Sequence, residues 1–207
     1  GDHRDLHSFP TRRSSDLSAL GRAARALVGA MLRRTRREVL SQLPSRTDTR
    51  VPVEMTEAQR TRHDELRQAI AELLARSRQR PLARGELLRL MQLLTSQRMV
   101  CNGLAQVQFD SEWPRCENAP PTPALLESLF SPKLSVLRGL IEQLVIAQRR
   151  KVVVFSQWRK FLRLAEWAVH DLLQAEGLRA VFFTGAESGV ARERALADFR
   201  DDPTACV

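Results

Sequence analysis

Cysteine is scarce in this chain of 207 residues, and so is lysine. The three cysteines, Cys101, Cys116 and Cys206, are odd in number and form no C-x-x-C pair, which argues against a disulfide framework or a zinc site. No apolar run approaches membrane-spanning length. No apolar segment with a small-residue cleavage site opens the chain. We therefore expect no membrane partner and a cytoplasmic location.

The shortage of lysine bears on nucleotide chemistry. The three lysines are Lys133, Lys151 and Lys160, and none of them follows a glycine. A phosphate-binding P-loop requires both a glycine-rich turn and a lysine. The acidic pair Asp64 and Glu65 lies mid-helix by pattern, which is the wrong place for the acid that helps to hold Mg²⁺. We therefore expect no catalytic, cofactor-binding or metal-binding residues in this chain, and no ATP hydrolysis by it.

Positive charge is abundant. The formal net charge is +9 and the sequence pI is about 10.9. This balance favours a polyanionic partner, with nucleic acid ahead of membrane, and the alternative is a merely basic surface. Thirty of the 33 basic residues are arginine. Arginine suits phosphate contacts, but GC-rich coding produces the same excess.

The first half of the chain is predicted to be helical. From residue 18 to about residue 100, apolar residues recur at helical spacing, with an interruption at Pro44. Thr56 and Gln59 have the spacing of a capping box at the start of a long helix, and another helix follows Pro81. Residues 101–132 lose this period and are rich in proline, which predicts a connector or surface loop.

The last part, residues 133–207, alternates between two patterns. The apolar runs "KVVVFS", "RAVFFTG" and "TACV" are typical of buried parallel strands, and amphipathic helical segments precede and separate them. Gly177 is expected at a helix end. The predicted fold class is therefore α/β, with a helical N-terminal part followed by a truncated, doubly wound parallel sheet.

Polar residues follow two of the predicted strands. In open parallel sheets, ligands bind beyond the carboxyl ends of the strands. Ser156 and Gln157 follow the first strand, and Thr184 and Gly185 follow the second. Hydroxyl, amide and backbone groups of this kind contact phosphate oxygens. The alternative is that Ser156 and Gln157 only cap the next helix.

Four segments carry a family resemblance in a fixed order. They are "LRRTRREVLSQLPSRTDTRVPVEMTEAQ", "SPKLSVLRGLIEQL", "RKVVVFSQW" and "TGAESGVARERALADFRDDP". Together they resemble the Swi/Snf family of ATP-dependent DNA translocases in helicase superfamily two, from about Met31 onward. The segments "NGLAQ" and "TGAES" depart from the usual family pattern.

The resemblance implies a fold and a mechanism for an intact parent protein. ATP and Mg²⁺ would lie between two RecA-like lobes that step along one strand of duplex DNA. Residues 18–100 would be the end of the first lobe and the helical protrusion, and residues 133–207 part of the C-terminal lobe. The family's glycine-rich and arginine-rich motifs would follow "TACV", so the rest of the ATPase is an expected partner, together with duplex DNA.

The resemblance also implies DNA-binding residues. Ser156, Gln157 and Trp158 would lie near the DNA groove, although Trp158 has packing in the core as its alternative. Gly185 and Arg192 belong to the next motif, where the guanidinium would pair with a phosphate. A further set of arginines would contact DNA or the facing lobe, or would form a solvated helix face; these are Arg33, Arg34, Arg36 and Arg37.

The opening "GDHRDLHSFPTRRSSDL" has neither helical nor strand periodicity. Written back into codons, it resembles the adapter that is ligated to short-read sequencing libraries. We expect residues 1–17 to be a non-native, disordered segment joined to a gene fragment. The alternative is a native basic arm.

Two other functions remain open. One is a stand-alone, non-enzymatic DNA-binding or scaffold protein. The other is a different nucleotide-binding α/β domain, although "TGAESG" lacks the G-x-G spacing of a phosphate loop.

Overall fold

The computed structural model describes residues 46–185 and 187–207. The chain forms two compact units, Gly1–Arg50 and Val51–Val207. In the first unit, the described residues are exposed, and Arg46 Nε donates to Asp48 Oδ1 at 2.8 Å. The expectations for residues 1–17, for the helix before Pro44 and for the four clustered arginines (Arg33, Arg34, Arg36 and Arg37) lie outside the described residues.

The regular structure of the second unit is helical over its described length. Eight α-helices follow one another there, and one of them continues into a π-helical segment. They are α1 (Glu57–Ser77), α2 (Arg84–Val100), α3 (Leu104–Val107), α4 (Phe109–Cys116), α5 (Pro123–Ser128), α6 (Pro132–Ile141) with the π-helical segment Glu142–Ala147, α7 (Arg159–Ala175) and α8 (Gly189–Asp201).

The capping box at the start of α1 is confirmed. The Gln59 N–H donates to Thr56 Oγ1 at 3.3 Å, and the Thr56 N–H donates to Gln59 Oε1 at 3.0 Å. Gln59 is buried, and its Nε2 also donates to the carbonyl of Val100 at 2.7 Å. One side chain thus caps α1 and ties it to the end of α2.

Helices α1 and α2 pack as an antiparallel pair. Their shared core is apolar and contains Leu66, Ile70, Leu73, Leu90, Leu93 and Val100. At the turn between the helices, both guanidinium NH groups of Arg80 donate to Glu86 at 2.7 Å. Hydrogen bonds from Arg80 and from the Ala83 N–H lower the pKa of Glu86 to about 2. The Arg80–Glu86 ion pair therefore stabilises the turn, while the shared apolar core holds the two helices together.

Residues 101–132 are not the loop that the sequence predicts. They contain three short helices, α3 to α5, whose buried residues include Phe109, Cys116 and Leu126. Two of these helices have fewer than eight residues, so neither completes the two turns that would reveal an apolar period. Proline marks the start of α5 here, at Pro123, because a helix's first position needs no N–H donor.

The α7 helix lies at the centre of the unit. Leu164 and Ala168 are fully buried against α3 to α6, in a core that also contains Trp167. On the same helix, Val169 and Leu173 belong to a second core with Ile141, Val145 and Cys206. Along the face of α7 that carries Ala165 and Ala168, both alanines are buried, while Phe161 and Leu172 are only partly buried.

Gly177 ends α7 as predicted. It has φ +66°, and the following Leu178 N–H donates to the Leu173 carbonyl at 2.8 Å. The Gly177 N–H donates to Gln174 at 3.0 Å. These two bonds form a Schellman motif, in which glycine is favoured because the left-handed conformation costs it little.

The predicted α/β class is wrong for the residues that the structure describes. No strand occurs in residues 46–185 or 187–207, so the truncated RecA-like doubly wound sheet expected over residues 133–207 is absent there. The three apolar runs are extended, but one isolated parallel bridge, Arg179 to Ala205, is all that joins any two of them as β-structure.

The reason lies in how few backbone bonds the runs share. The Arg179 N–H donates to Thr204 and the Val152 N–H donates to Cys206, each at 2.8 Å. Residues 204–207 thus lie between the other two runs and offer each of them only a few partners. A parallel sheet needs successive, evenly spaced bonds along both neighbours, and an apolar run does not supply those by itself.

No helix among the described residues is long and apolar enough to cross a membrane.

Gly103 allows a close approach that a larger residue would prevent. A Cβ at this position would lie 2.1 Å from Ser131 Oγ and 2.4 Å from Ser131 Cβ. We expect Gly103→Ala to lower the free energy of unfolding by about 2 kcal/mol, because the buried Ser131 has to shift. Gly139→Ala is the control: Gly139 is exposed in α6 with open space around its Cβ position, so we expect a gain of about 0.5 kcal/mol. Urea unfolding would measure both, and equal effects would contradict the prediction.

A clamp between α6 and α7 predicts a pH dependence. Arg138 forms a bidentate ion pair with Asp171, one bond of which measures 2.7 Å, and also donates to the Ala168 carbonyl at 2.8 Å. The hydrogen bond from Arg138 lowers the pKa of Asp171. The pair therefore stabilises the fold above the unfolded-state pKa of about 3.9, and this contribution is lost as the pH falls through the lower folded-state value.

We therefore expect Asp171→Asn to lower the free energy of unfolding by about 1 kcal/mol at neutral pH. The difference from the wild type should shrink as the pH falls below about 4. Asp110→Asn is the control, because the Asp110 side chain is 85% exposed in its pair with Lys160 and should contribute less than about 0.5 kcal/mol. A difference at Asp171 that did not change with pH would contradict this assignment.

Candidate nucleic-acid interface

The first predicted site lies in the turn that leads into α7. Ser156 Oγ accepts the Trp158 N–H at 3.1 Å, and Trp158 is the N-cap residue of α7. Ser156 therefore bonds to the N-cap residue and does not itself cap α7, which has no side-chain cap hydrogen bond. Gln157 is exposed, and Trp158 is half-buried and lies outside the apolar cores of the described residues.

Three cations lie on the first two turns of α7. Lys160 Nζ donates to Asp110 at 2.8 and 2.9 Å and lies 5.2 Å from the centre of the Phe109 ring. Arg163 stacks on Trp113 at 4.8 Å. Both are therefore held against α4, whereas Arg159 is exposed at the start of the helix. The sequence reasoning missed Arg159, although its place directly after "SQW" is visible in the sequence.

The second predicted site is a tight loop before α8. The Thr184 N–H donates to Glu187 Oε2 at 2.6 Å, and Thr184 Oγ1 donates to both carboxylate oxygens at 2.8 and 2.9 Å. Arg192 donates to the Gly185 carbonyl at 3.3 Å. The loop thus uses Arg192 to hold its own backbone, and a carboxylate lies on the hydroxyl and amide that the sequence predicts for phosphate.

The two loops meet at one surface. Hydrogen bonding from Thr184 is the main cause that lowers the pKa of Glu187, and the positive charge of Arg159 lowers it further. Arg159 is the first residue of α7, so its charge acts across from one loop to the other. Phe155, the neighbour of Ser156, lines the same cavity as Thr184, so the two predicted loops lie near each other.

An apolar cavity of about 470 Å³ lies behind this surface, between the extended runs and helices α7 and α8. It has no charged lining residue besides Glu166, so it does not suit a phosphate. At its edge, Phe155 is 90% exposed and Phe183 is 55% exposed. Other residues that line it are Val152, Val154, Leu162, Val169, Leu196 and Phe199.

No group of three or more His, Cys, Asp or Glu side chains in the described part of the chain could hold a metal ion. Comparison of the chain with protein-family models, with curated proteins and with solved structures found no match in any of the three. The assignment of a function therefore depends on the chemistry of the interface and on the motif resemblance.

The α8 helix is held by polar contacts, since none of its residues is buried. Lys151 Nζ donates to the carbonyls of Phe199 and of Asp202, the latter at 2.8 Å. Arg179 donates to Asp198 at 3.1 Å and to Asp202 at 2.8 Å. Hydrogen bonds from Arg179 and Thr204 lower the pKa of Asp202 to about 2. The C-terminal end of α8 is thus fixed by two cations.

We expect Lys151→Met to loosen α8, because its last carbonyls lose a charged donor. Backbone amides of α8 should exchange with solvent about fivefold faster, measured by hydrogen exchange with mass spectrometry. Lys160→Met is the control, since Lys160 also lies over a phenylalanine ring but pairs with α4. Equal acceleration of α8 in both variants would show that the Lys151 contact is not what holds the helix.

Proposed function

We propose that this chain binds the phosphate backbone of duplex DNA at the surface where α7 and α8 begin. We further propose that it is a piece of an ATP-dependent DNA translocase of the Swi/Snf type. In this proposal the chain contributes backbone contacts, and the motifs that bind and hydrolyse ATP belong to the remainder of the protein.

One observation carries the binding proposal. Arg159 is exposed at the start of α7, and its charge acts on the Thr184–Glu187 loop before α8. Arginine, hydroxyl groups and backbone N–H groups make up most protein contacts to DNA phosphates. The net charge of +9 supports the same partner, because neutralising phosphates releases counterions and favours binding.

The translocase proposal rests on the four motif segments and their order. It assigns ATP and Mg²⁺ to the intact parent, and none to the residues of this chain. It also predicts a cytoplasmic, nucleoid-associated location, since the partner would be the chromosome. The described residues, which are helical and contain no strand, do not support the translocase part of the proposal.

A non-enzymatic DNA-binding or scaffold protein is the second candidate. The helical architecture of the described residues favours it, because helices that present arginines need no nucleotide site. Both candidates share the proposed DNA surface. Long-read sequencing of the source locus separates them: a reading frame that continues into a P-loop and an arginine-rich motif favours the translocase, and a stop directly after Val207 favours the second candidate.

The binding proposal predicts a specific effect of Arg159→Gln. We expect the affinity for duplex DNA to fall about threefold, because one phosphate contact is lost, and to fall equally for unrelated sequences. The slope of log affinity against log salt should decrease in magnitude by about 1. Fluorescence anisotropy titrations of labelled duplexes at several salt concentrations would measure both quantities.

Arg89→Gln is the matched control. Arg89 is also an exposed helix arginine, on α2, and the substitution changes the net charge equally. We expect it to leave the salt slope unchanged. If both variants lowered the affinity equally, the binding would be a general effect of charge, and the proposed surface would be wrong.

A further inference from the structure

The Glu187 carboxylate occupies the donors of the Thr184 loop. Both of its oxygens accept hydrogen bonds, from the Thr184 N–H at 2.6 Å and from the Thr184 hydroxyl at 2.8 and 2.9 Å. The positive charge of Arg159 acts on the same carboxylate. A carboxylate of this chain is thus bound by the amide and the hydroxyl of Thr184, and the charge of Arg159 acts on it from further away.

This set of donors is the one that a phosphate would use. Backbone N–H groups, threonine hydroxyls and arginines are regular partners of DNA phosphate oxygens. A phosphate oxygen pair and a carboxylate both accept charge-assisted hydrogen bonds from such donors. A phosphate that reaches Thr184 must therefore displace Glu187.

Capping of α8 does not account for the contact. The α8 helix begins at Gly189, and its cap is Ser188, whose Oγ accepts the Ala191 N–H at 3.3 Å. Glu187 lies before that cap and bonds backward to Thr184. Glu187 therefore does not supply the cap hydrogen bond of α8.

We propose that Glu187 is an internal competitor of DNA phosphate, and that it weakens backbone binding at the Thr184 loop. The inference rests on the proposed DNA surface and deepens it, because it names a residue that sets the affinity of that surface. In the wild-type chain, the Glu187 carboxylate would then keep the affinity for duplex DNA below the value that Thr184 and Arg159 would give without it.

Glu187→Gln tests this inference in the full chain. Glutamine keeps the size and one acceptor oxygen, so the loop retains a hydrogen bond from Thr184, but the competing charge is gone. We expect the affinity for a labelled duplex to rise about fivefold. Glu187→Ala should raise it as well, because it also removes the competitor.

Glu193→Gln is the matched control. Glu193 is exposed on α8, and the substitution changes the net charge by the same amount. We expect it to raise the affinity less than about twofold, and only at low salt, since exposed charges are screened. The gain at Glu187 should persist at higher salt, because it comes from direct contact.

The outcomes are distinct. Equal gains from Glu187→Gln and Glu193→Gln would overturn the inference, and so would weaker binding by Glu187→Ala, which would mean that the contact only orders the loop. Either result would leave the DNA surface in place if Arg159→Gln lowers the salt slope. If neither the wild type nor any variant binds duplex DNA at low salt, the proposed function itself fails.

Discussion

The burial of α7 is the constraint on which the packing of α3 to α6 and of the C-terminal residues depends. Leu164 and Ala168 are removed from solvent on one side of the helix, and Val169 and Leu173 complete a second core. A buried leucine contributes roughly 2 kcal/mol, and α7 supplies two of them, Leu164 and Leu173, to two different cores. Because α7 is buried, both of its ends are held in place. Arg159 lies at its start, and Gly177 at its end turns the chain toward the Thr184 loop.

Unlike α7, the α8 helix is held mainly by polar contacts. It buries no residue, and its C-terminal end is held by Lys151 and Arg179. Exposed ion pairs contribute little stability, and segments with few buried apolar contacts open locally at low cost. The proposed DNA surface therefore joins a firmly packed helix to a weakly held one. In the proposed surface, a DNA phosphate would replace the Glu187 carboxylate at this loop without disturbing the apolar cores.

What the sequence predicted correctly is local in origin. The capping box of Thr56 and Gln59, the glycine after α7 and the five long helical segments within the described residues depend on neighbours a few positions apart. The predicted sheet failed because β-structure requires pairing between distant runs, and residues 204–207 supply only a few backbone partners. The helices of residues 101–132 were missed because they are too short to show a period. The Thr184–Glu187 contact could have been found, since T-x-x-E is the spacing of a capping box.

Net charge is a poor measure of how many cations a phosphate can reach. Arg138, Arg179 and Lys160 are each paired with carboxylates, so they stabilise the fold and are only partly available to a ligand. Arg159 differs because its acidic neighbour, Glu187, already has another partner in Thr184. In the proposed surface, an incoming phosphate would compete with Glu187 for the Thr184 donors and for the charge of Arg159. In the proposed DNA surface, the position of this carboxylate would therefore matter in addition to the total charge of +9.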